Sequence, residues 1–470
     1  MTALIWFRRD LRVHDHPALQ AALEHHDEVL PVFCLDDRLL AGRHRSGSRT
    51  QFMLECLRDL DQALAERGGR LVVRHGPPER ELPALARAVG AQAVHHTYDV
   101  TPFARVRGQA VSRALQHAGV EVHGHPGLTV ADDVRSISTV QGKPYNVFTP
   151  FYRAWLAQPR RSVLEARGRM ALPSGVDPGE VPSLRSLGLE QEILEPLAGG
   201  ETAGRMRLDA FLRAGVDCYA ASHDALGEDR TSRLSPYLRF GCVSPRAIED
   251  RLTEGEGPTA FRRQLCWRDF YAHVLFHHPD NAFSEFQRRY RGTLEYHEDD
   301  RAFEAWRYGR TGFPLVDAGM RQLLREGWMH NRARLVVGSF LTKDLGIDWR
   351  RGERWFMRLL IDGDEASNNG NWQWIASVGT DPQPVFRRIY NPALHMERYD
   401  PEGRYVRRYV PELREVPDAY LREPWTMPED LQREVGCRIG DDYPAPLLDR
   451  SAAREQALRR YRAAVEQTDR

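Results

Sequence analysis

Lysine is almost missing from this chain. Of 66 basic residues only Lys143 and Lys343 are lysines, so arginine supplies nearly all the positive charge. A GC-rich coding sequence accounts for such a bias. It leaves the chain with planar, forked, permanently charged groups suited to phosphates and carboxylates. Net charge is missing too: 66 acidic residues balance the basic ones, and the pI is about 7.3. A globally basic nucleic-acid binder is excluded, so any such contact rests on a local patch. No long hydrophobic run occurs. The N-terminal one, Ala3–Phe7, stops at Arg8 and is too short for a signal segment or a membrane span. The six cysteines form no C-x-x-C pair, and no histidine group has zinc-ligand spacing. The expectation is a reduced cytoplasmic protein without a metal. No 20–50-residue repeat is visible, which argues against a solenoid.

What is present is ordinary globular composition over 470 residues, with 41% hydrophobic and 28% charged residues. That length is too great for one undivided core. Residues 1–130 alternate short apolar runs with amphipathic stretches. Ala3–Phe7, Val29–Leu35, Leu71–Val73 and Ala93–Val94 read as strands, with Val120–Val122 a fifth. Ser48–Glu66, Pro83–Val89 and Ala104–His117 carry helical spacing. The alternation predicts a doubly wound parallel sheet, whose ligands sit at the carboxyl ends of its strands. No G-x-G-x-x-G follows the first strand, so a standard dinucleotide site is unsupported. Residues 131–200 are rich in proline and glycine and read as a linker packed on the surface, with one helix at Pro150–Ala157. Residues 201–470 read as an all-helical domain and hold eight of the ten tryptophans. Within it, 301–410 has 18 basic residues against 13 acidic ones. Arginine beside aromatic rings suits a phosphate backbone and unstacked bases, although a solvated face over an aromatic core gives the same pattern.

Four segments carry chemistry. Thr231, Ser232, Arg233, Leu234 and Ser235 lead into a helix, where hydroxyls and an arginine can hold a pyrophosphate or simply cap the helix. Gln264, Trp267 and Arg268 share one helical face. The run His330–Arg334 gathers polar groups at a helix start. Asp362–Trp374 packs three acids, three asparagines and two tryptophans into thirteen residues. Its Asp362-Gly363-Asp364 lacks the other ligand positions of a calcium loop.

Together with the opening Trp6-Phe-Arg-Arg-Asp-Leu-Arg12, these segments resemble the DNA photolyase and cryptochrome flavoprotein family in order and spacing over nearly the whole chain. The pattern is closest to bacterial class I cyclobutane-pyrimidine-dimer photolyases. The resemblance implies an N-terminal antenna-chromophore domain, a linker, and a helical C-terminal domain that binds FAD and DNA. The implied activity is a carbon–carbon lyase reaction, the light-driven repair of pyrimidine dimers by electron transfer from reduced FAD. Tyr219, Thr231–Ser235, Arg268, Arg334, Asp362, Gly363 and Asp364 would hold the cofactor, with Arg334 paired to Asp362. Asn368 would face flavin N5, where a neutral amide can hydrogen-bond to either protonation form. Trp267 and Trp374 would stack on the two bases, and Gln264 and Asn331 would bond their edges. Trp372, Trp349 and Trp306 would form an electron-transfer chain from flavin to surface. Arg332 and Arg387 would meet DNA. Asp36 and Asp99 would lie at an antenna site, of the 8-hydroxy-5-deazaflavin type rather than folate. The expected partner is damaged DNA, bound by a monomer associated with the nucleoid when on DNA.

Two residues depart from the class I pattern. Gln264 stands where glutamate is common and where (6-4) photolyases and animal cryptochromes have glutamine. Leu335 stands where methionine is frequent. Asn331 opposes a (6-4) activity, which uses a histidine there, and the short C-terminus opposes a cryptochrome. A photoreceptor without repair activity, a (6-4) lyase and a flavin oxidoreductase are the competing readings. The last would need a nicotinamide fingerprint, and none is visible.

Overall fold

The computed structural model describes all residues except 166–167, 169, 171–174 and 469–470. Five strands form one parallel sheet: β1 (Thr2–Phe7), β2 (Glu28–Leu35), β3 (Val72–His75), β4 (Ala91–Thr97) and β5 (Glu121–His125). Their order is β3-β2-β1-β4-β5. Register pairs Leu4 with Leu30 on one side and with Val94 on the other. The central strand is buried along its whole length, which is why it reads as a continuous apolar run. The strand order reverses between β1 and β4, the place where such sheets bind ligands.

Helices α1 (Pro17–His25), α2 (Gly47–Ala65), α3 (Pro78–Val89) and α4 (Pro102–His117) connect the strands. The last three match the helical spacing within a few residues at each end. The α1 segment was not legible as a helix, because its histidine-rich stretch carries only a narrow apolar face.

The stretch 131–200 is more than a surface linker. Its helix α5 (Phe148–Leu156) buries Phe148, Phe151 and Trp155, and Val130, Ala131, Val134 and Ile137 join the same core. One residue organises this contact. Asp269 accepts bonds at Oδ2 from the Val130 and Ala131 amides (3.0 and 3.1 Å) and from Trp155 Nε1 (2.8 Å). It sits fully buried on the helix that also carries Trp267.

Beyond residue 200 the structure is helical, with a single isolated bridge, Ile439 to Tyr443, among the described residues. The helices that build the site are α6 (Ser235–Phe240), α7 (Glu256–His277), α8 (Pro314–Glu326), α9 (Asn331–Ser339), α10 (Trp349–Leu359) and α11 (Glu365–Ile375). A terminal helix, α12 (Arg450–Thr468), closes the domain.

The opening motif joins the two halves. The Leu11 amide donates to Phe240 O at 3.0 Å, and Arg12 Nη1 donates to Gly241 O at 2.9 Å. Gly241 ends α6 at φ +65°, and a Cβ there would stand 2.1 Å from the Arg9 carbonyl oxygen. Only glycine permits both that conformation and that approach. Arg9 crosses the same boundary to pair with Asp364.

Candidate functional site: a cofactor cradle beneath an aromatic mouth

The start of α11 is the centre of the site. Asp364 caps this helix, accepting the Ser367 amide at 2.9 Å. Burial works against its charged form, yet Arg9, Arg239 and Arg268 hold its carboxyl well below the usual carboxylate range. Arg268 itself bonds the carbonyls of Leu128 and Leu238. Gly363 offers its carbonyl to Arg239 Nε at 2.7 Å. Arg334 Nη2 donates to Asp362 Oδ2 at 2.8 Å, the pair the resemblance implies.

Two buried oxygens in this region have no hydrogen-bond partner: Asp362 Oδ1 and Thr231 Oγ1. Buried polar atoms are rarely left unpaired. Both belong to the set assigned from sequence to the flavin cofactor, so the cradle fits a polar group that completes it. Ser235 Oγ accepts from Trp328 Nε1 at 3.2 Å and keeps its own proton to donate. Ser232 Oγ accepts the Leu234 amide at 3.3 Å, and Leu234 is buried. Arg233 is committed elsewhere: it bonds Glu326 at 2.9 Å and Asp229, and lies 4.4 Å from the Trp328 ring. Its φ of +49° fits a tight turn that holds the loop in shape. Tyr219 is buried against His223.

Asn368, one turn into α11, is buried and donates through Nδ2 to the Glu353 carbonyl at 3.1 Å and to Glu353 Oε1 at 3.3 Å. Burial pushes the Glu353 carboxyl up. Sequence reasoning missed Glu353, which lies on α10 in a charged stretch with nothing to mark it.

The mouth is aromatic. Trp267 is half-buried, with one face packed on Phe148 at 3.7 Å and 2° between ring planes. Trp374 is also half-buried and carries the Arg388 guanidinium 3.9 Å from its ring centroid. Tyr271 packs beside Trp267 at 5.5 Å. Gln264 is exposed on α7, one turn before Trp267, and Asn331 is exposed at the start of α9. His330 is not: it is 2% exposed, caps α9 by accepting the Arg332 amide at 3.1 Å, and burial lowers its pKa to about 4. Arg332 is ion-paired with Asp224 and stacked on Tyr399 at 4.3 Å. Arg387 is exposed beside Phe386 in the 3-10 helix Val385–Arg388 that follows α11.

The tryptophan chain does not run as the resemblance implies. Trp306 is fully buried and packs on Trp372 at 6.1 Å, with its Nε1 bonded to Val337 O at 3.0 Å. It therefore cannot be the surface end of a chain that continues from Trp349. Trp372 fits because Gly352 leaves room for it; a Cβ there would stand 2.3 Å from the indole.

At the carboxyl ends of the strands, Asp36 caps the short helix Asp37–Leu40 and pairs with Arg38 at 2.8 Å. Arg107 stands 3.6 Å from the same carboxylate. Asp99 accepts the Thr101 amide at 3.0 Å and lies 3.6 Å from Arg9. Among the described residues no group of three or more His, Cys, Asp or Glu could hold a metal ion, and no helix is long and apolar enough to cross a membrane.

Comparison with known proteins agrees with this architecture. The family model for DNA photolyase matches residues 3–169, and that for the FAD binding domain of DNA photolyase matches 261–463. The chain is 41% identical to a deoxyribodipyrimidine photo-lyase of Streptomyces griseus over 460 residues, covering 96% of this chain and 97% of that one. A bacterial class III photolyase from Agrobacterium tumefaciens superposes with a TM-score of 0.91 at 34% identity, covering 99% of this chain and 98% of that one. An archaeal photolyase from Sulfolobus tokodaii, solved with two FAD molecules, gives 0.86 at 30% identity, covering 98% and 100%. The chain belongs to the DNA photolyase family. Its helical half is an FAD-binding domain.

Proposed function

We propose that this protein is a light-driven DNA repair lyase that splits cyclobutane pyrimidine dimers. Full-length likeness to deoxyribodipyrimidine photo-lyases sets the reaction class. The observation that carries the choice of lesion is the contrast at the start of α9. Asn331 is exposed, while the adjacent histidine is sealed, neutral and used as a helix cap. Cyclobutane splitting needs no protein proton donor at that point.

Bound FAD supplies the electron that opens the ring under light. The chain's part is binding, orientation and exclusion of water. Thr231, Ser232, Ser235 and Tyr219 hold the cofactor's polar tail, with Leu234 packed beneath and Arg233 shaping the loop. Asp362, Gly363 and Asp364, fixed by Arg334, Arg239, Arg9 and Arg268, line the ring system. Glu353 engages the Asn368 NH₂ twice, which leaves Oδ1 as the end that would face flavin N5. That oxygen would accept a hydrogen bond from a protonated N5 without placing a charge there.

The lesion leaves the duplex and enters the mouth. Trp267 and Trp374 stack on its bases from one face each, since their other faces are already covered. Gln264 and Asn331 bond the base edges. The glutamine accepts from a pyrimidine N3–H and donates to a carbonyl, which a glutamate does only when protonated. Arg387 meets the phosphate backbone from the exposed 3-10 helix Val385–Arg388, and Arg332, paired with Asp224, adds a second basic contact to DNA.

Residues 1–130 form the antenna domain, 131–200 the connection and 201–470 the catalytic domain, and the protein acts as a cytoplasmic monomer. The cleft lined by Arg9, Tyr98 and Asp99 at the strand ends takes a second chromophore of the deazaflavin type, with Asp36 at the end of β2; a relative with a second FAD supports an antenna of flavin-like shape. Photoreversal of a thymine dimer in a defined oligonucleotide by the reduced, illuminated holoprotein tests the repair reading.

A further inference from the structure

The burial of Trp306 leaves the electron supply without a surface end. Trp349 is 1% exposed, so it too needs a further donor to reach solvent. The surroundings of Trp349 contain one. The Arg350 guanidinium lies 4.7 Å from the Trp349 ring and bonds Glu285 Oε2 at 2.8 Å. The other Glu285 oxygen, Oε1, accepts the Tyr296 hydroxyl at 3.4 Å. Tyr296 is half-buried and packs against the core cluster that contains Trp349. The charged and titratable groups facing its phenol are Tyr461, Glu285, Asp348, Arg350 and Arg460.

We propose that Tyr296 is the surface electron donor of this chain and that Glu285 takes its proton. The proposal rests on the flavoprotein reading above. An oxidised Trp349 takes one electron from Tyr296. The phenol O–H proton passes to the Glu285 carboxylate, leaving a neutral tyrosyl radical and a neutral Trp349. An external thiol then returns one hydrogen atom to the phenoxyl oxygen and is left as a thiyl radical, and Glu285 releases the transferred proton to solvent. Arg350 pairs with Glu285 and holds that carboxylate beside the phenol. Burial disfavours the ionised phenol, so electron and proton must leave together. A tryptophan at this position would need no such acceptor; Glu285, itself buried, is shared between the Arg350 ion pair and the Tyr296 hydroxyl.

The test uses the FAD-loaded protein without DNA. Blue light is applied with a thiol donor present, and flavin bleaching and radical signals are followed. The unsubstituted protein should give a tyrosyl electron paramagnetic resonance signal. Tyr296→Phe should lose that signal and photoreduce several-fold more slowly, and Tyr296→Trp should recover the rate. Glu285→Gln should slow tyrosyl formation, with a larger solvent isotope effect. An unchanged radical spectrum and rate in Tyr296→Phe would overturn the proposal. Because Tyr296→Phe alters only a hydroxyl, its fold is checked by retained FAD. Chemically reduced, unsubstituted protein that fails to repair dimers would refute the repair reading instead, whatever these variants show.

Discussion

Asn368 and Glu353 are joined by two hydrogen bonds from one amide nitrogen, at 3.1 Å to the backbone carbonyl and 3.3 Å to the carboxylate. This double anchor decides which end of the asparagine faces the cofactor, because only Nδ2 can donate to both acceptors. Asn368→Asp would put a second carboxyl beside the buried Glu353. It should shift the flavin midpoint potential negative, since a carboxylate opposes an anionic reduced ring. Spectroelectrochemical titration of the variant beside Asn368→Ala checks this. A positive shift in the aspartate variant alone would contradict the assignment.

Asp269 gives the chain a measurable pH dependence. Burial pushes its carboxyl up to about 6, against a usual value near ~3.9 in the unfolded chain. A folded state that binds its proton more tightly loses stability as pH rises between those values. The shift of ~2 units corresponds to roughly 3 kcal/mol. Asp269→Asn can keep an oxygen toward Val130, Ala131 and Trp155, and should flatten that slope. Thermal unfolding at pH 4, 5, 6 and 7 compares the two. Parallel curves would show that this carboxyl does not titrate as described.

The contact between the halves of the chain can be isolated with two glycines of nearly equal φ. Gly241 (+65°) would meet Arg9 with a Cβ, whereas Gly188 (+66°) has nothing within 4 Å. Alanine at either pays a left-handed cost of ~1–2 kcal/mol. Gly241→Ala should lose clearly more stability than Gly188→Ala in urea unfolding, and should retain less FAD. Equal losses would mean that the approach of Arg9 to α6 carries no energy.

At the mouth, Trp267→Ala should weaken binding of dimer-containing DNA by about 1–3 kcal/mol through lost stacking, with little change for undamaged DNA. Arg387→Ala should weaken both and lower the slope of log K against log salt by about one. Fluorescence anisotropy at several salt concentrations reads both effects. Equal loss on damaged and undamaged DNA in Trp267→Ala would remove this residue from the lesion pocket.

Much of this was legible in the sequence, for different reasons. Strands such as Ala3–Phe7 were readable because a buried parallel strand is apolar on both faces. The Arg334–Asp362 pair was accessible only through the family resemblance, since no local pattern links residues 28 apart. Glu353 and Tyr296 were missed because their roles depend on which helices pack together. Trp306 was misplaced for the same reason: a tryptophan's residue type does not reveal whether it lies at the surface or under Trp372. The segment 131–200 hid its core residues because Phe148, Phe151 and Trp155 pack irregularly between proline-rich turns.

The most direct measurement is a repair assay on two defined lesions. The holoprotein, chemically reduced, is mixed with one oligonucleotide bearing a single thymine cyclobutane dimer and with another bearing a (6-4) photoproduct. Each is held in blue light or darkness, and intact thymines are counted by chromatography. The account predicts light-dependent recovery from the dimer and none from the (6-4) lesion. Recovery from the (6-4) lesion alone would mean that Gln264 outweighs Asn331. Recovery from neither, with FAD bound and reduced, would contradict the repair function itself.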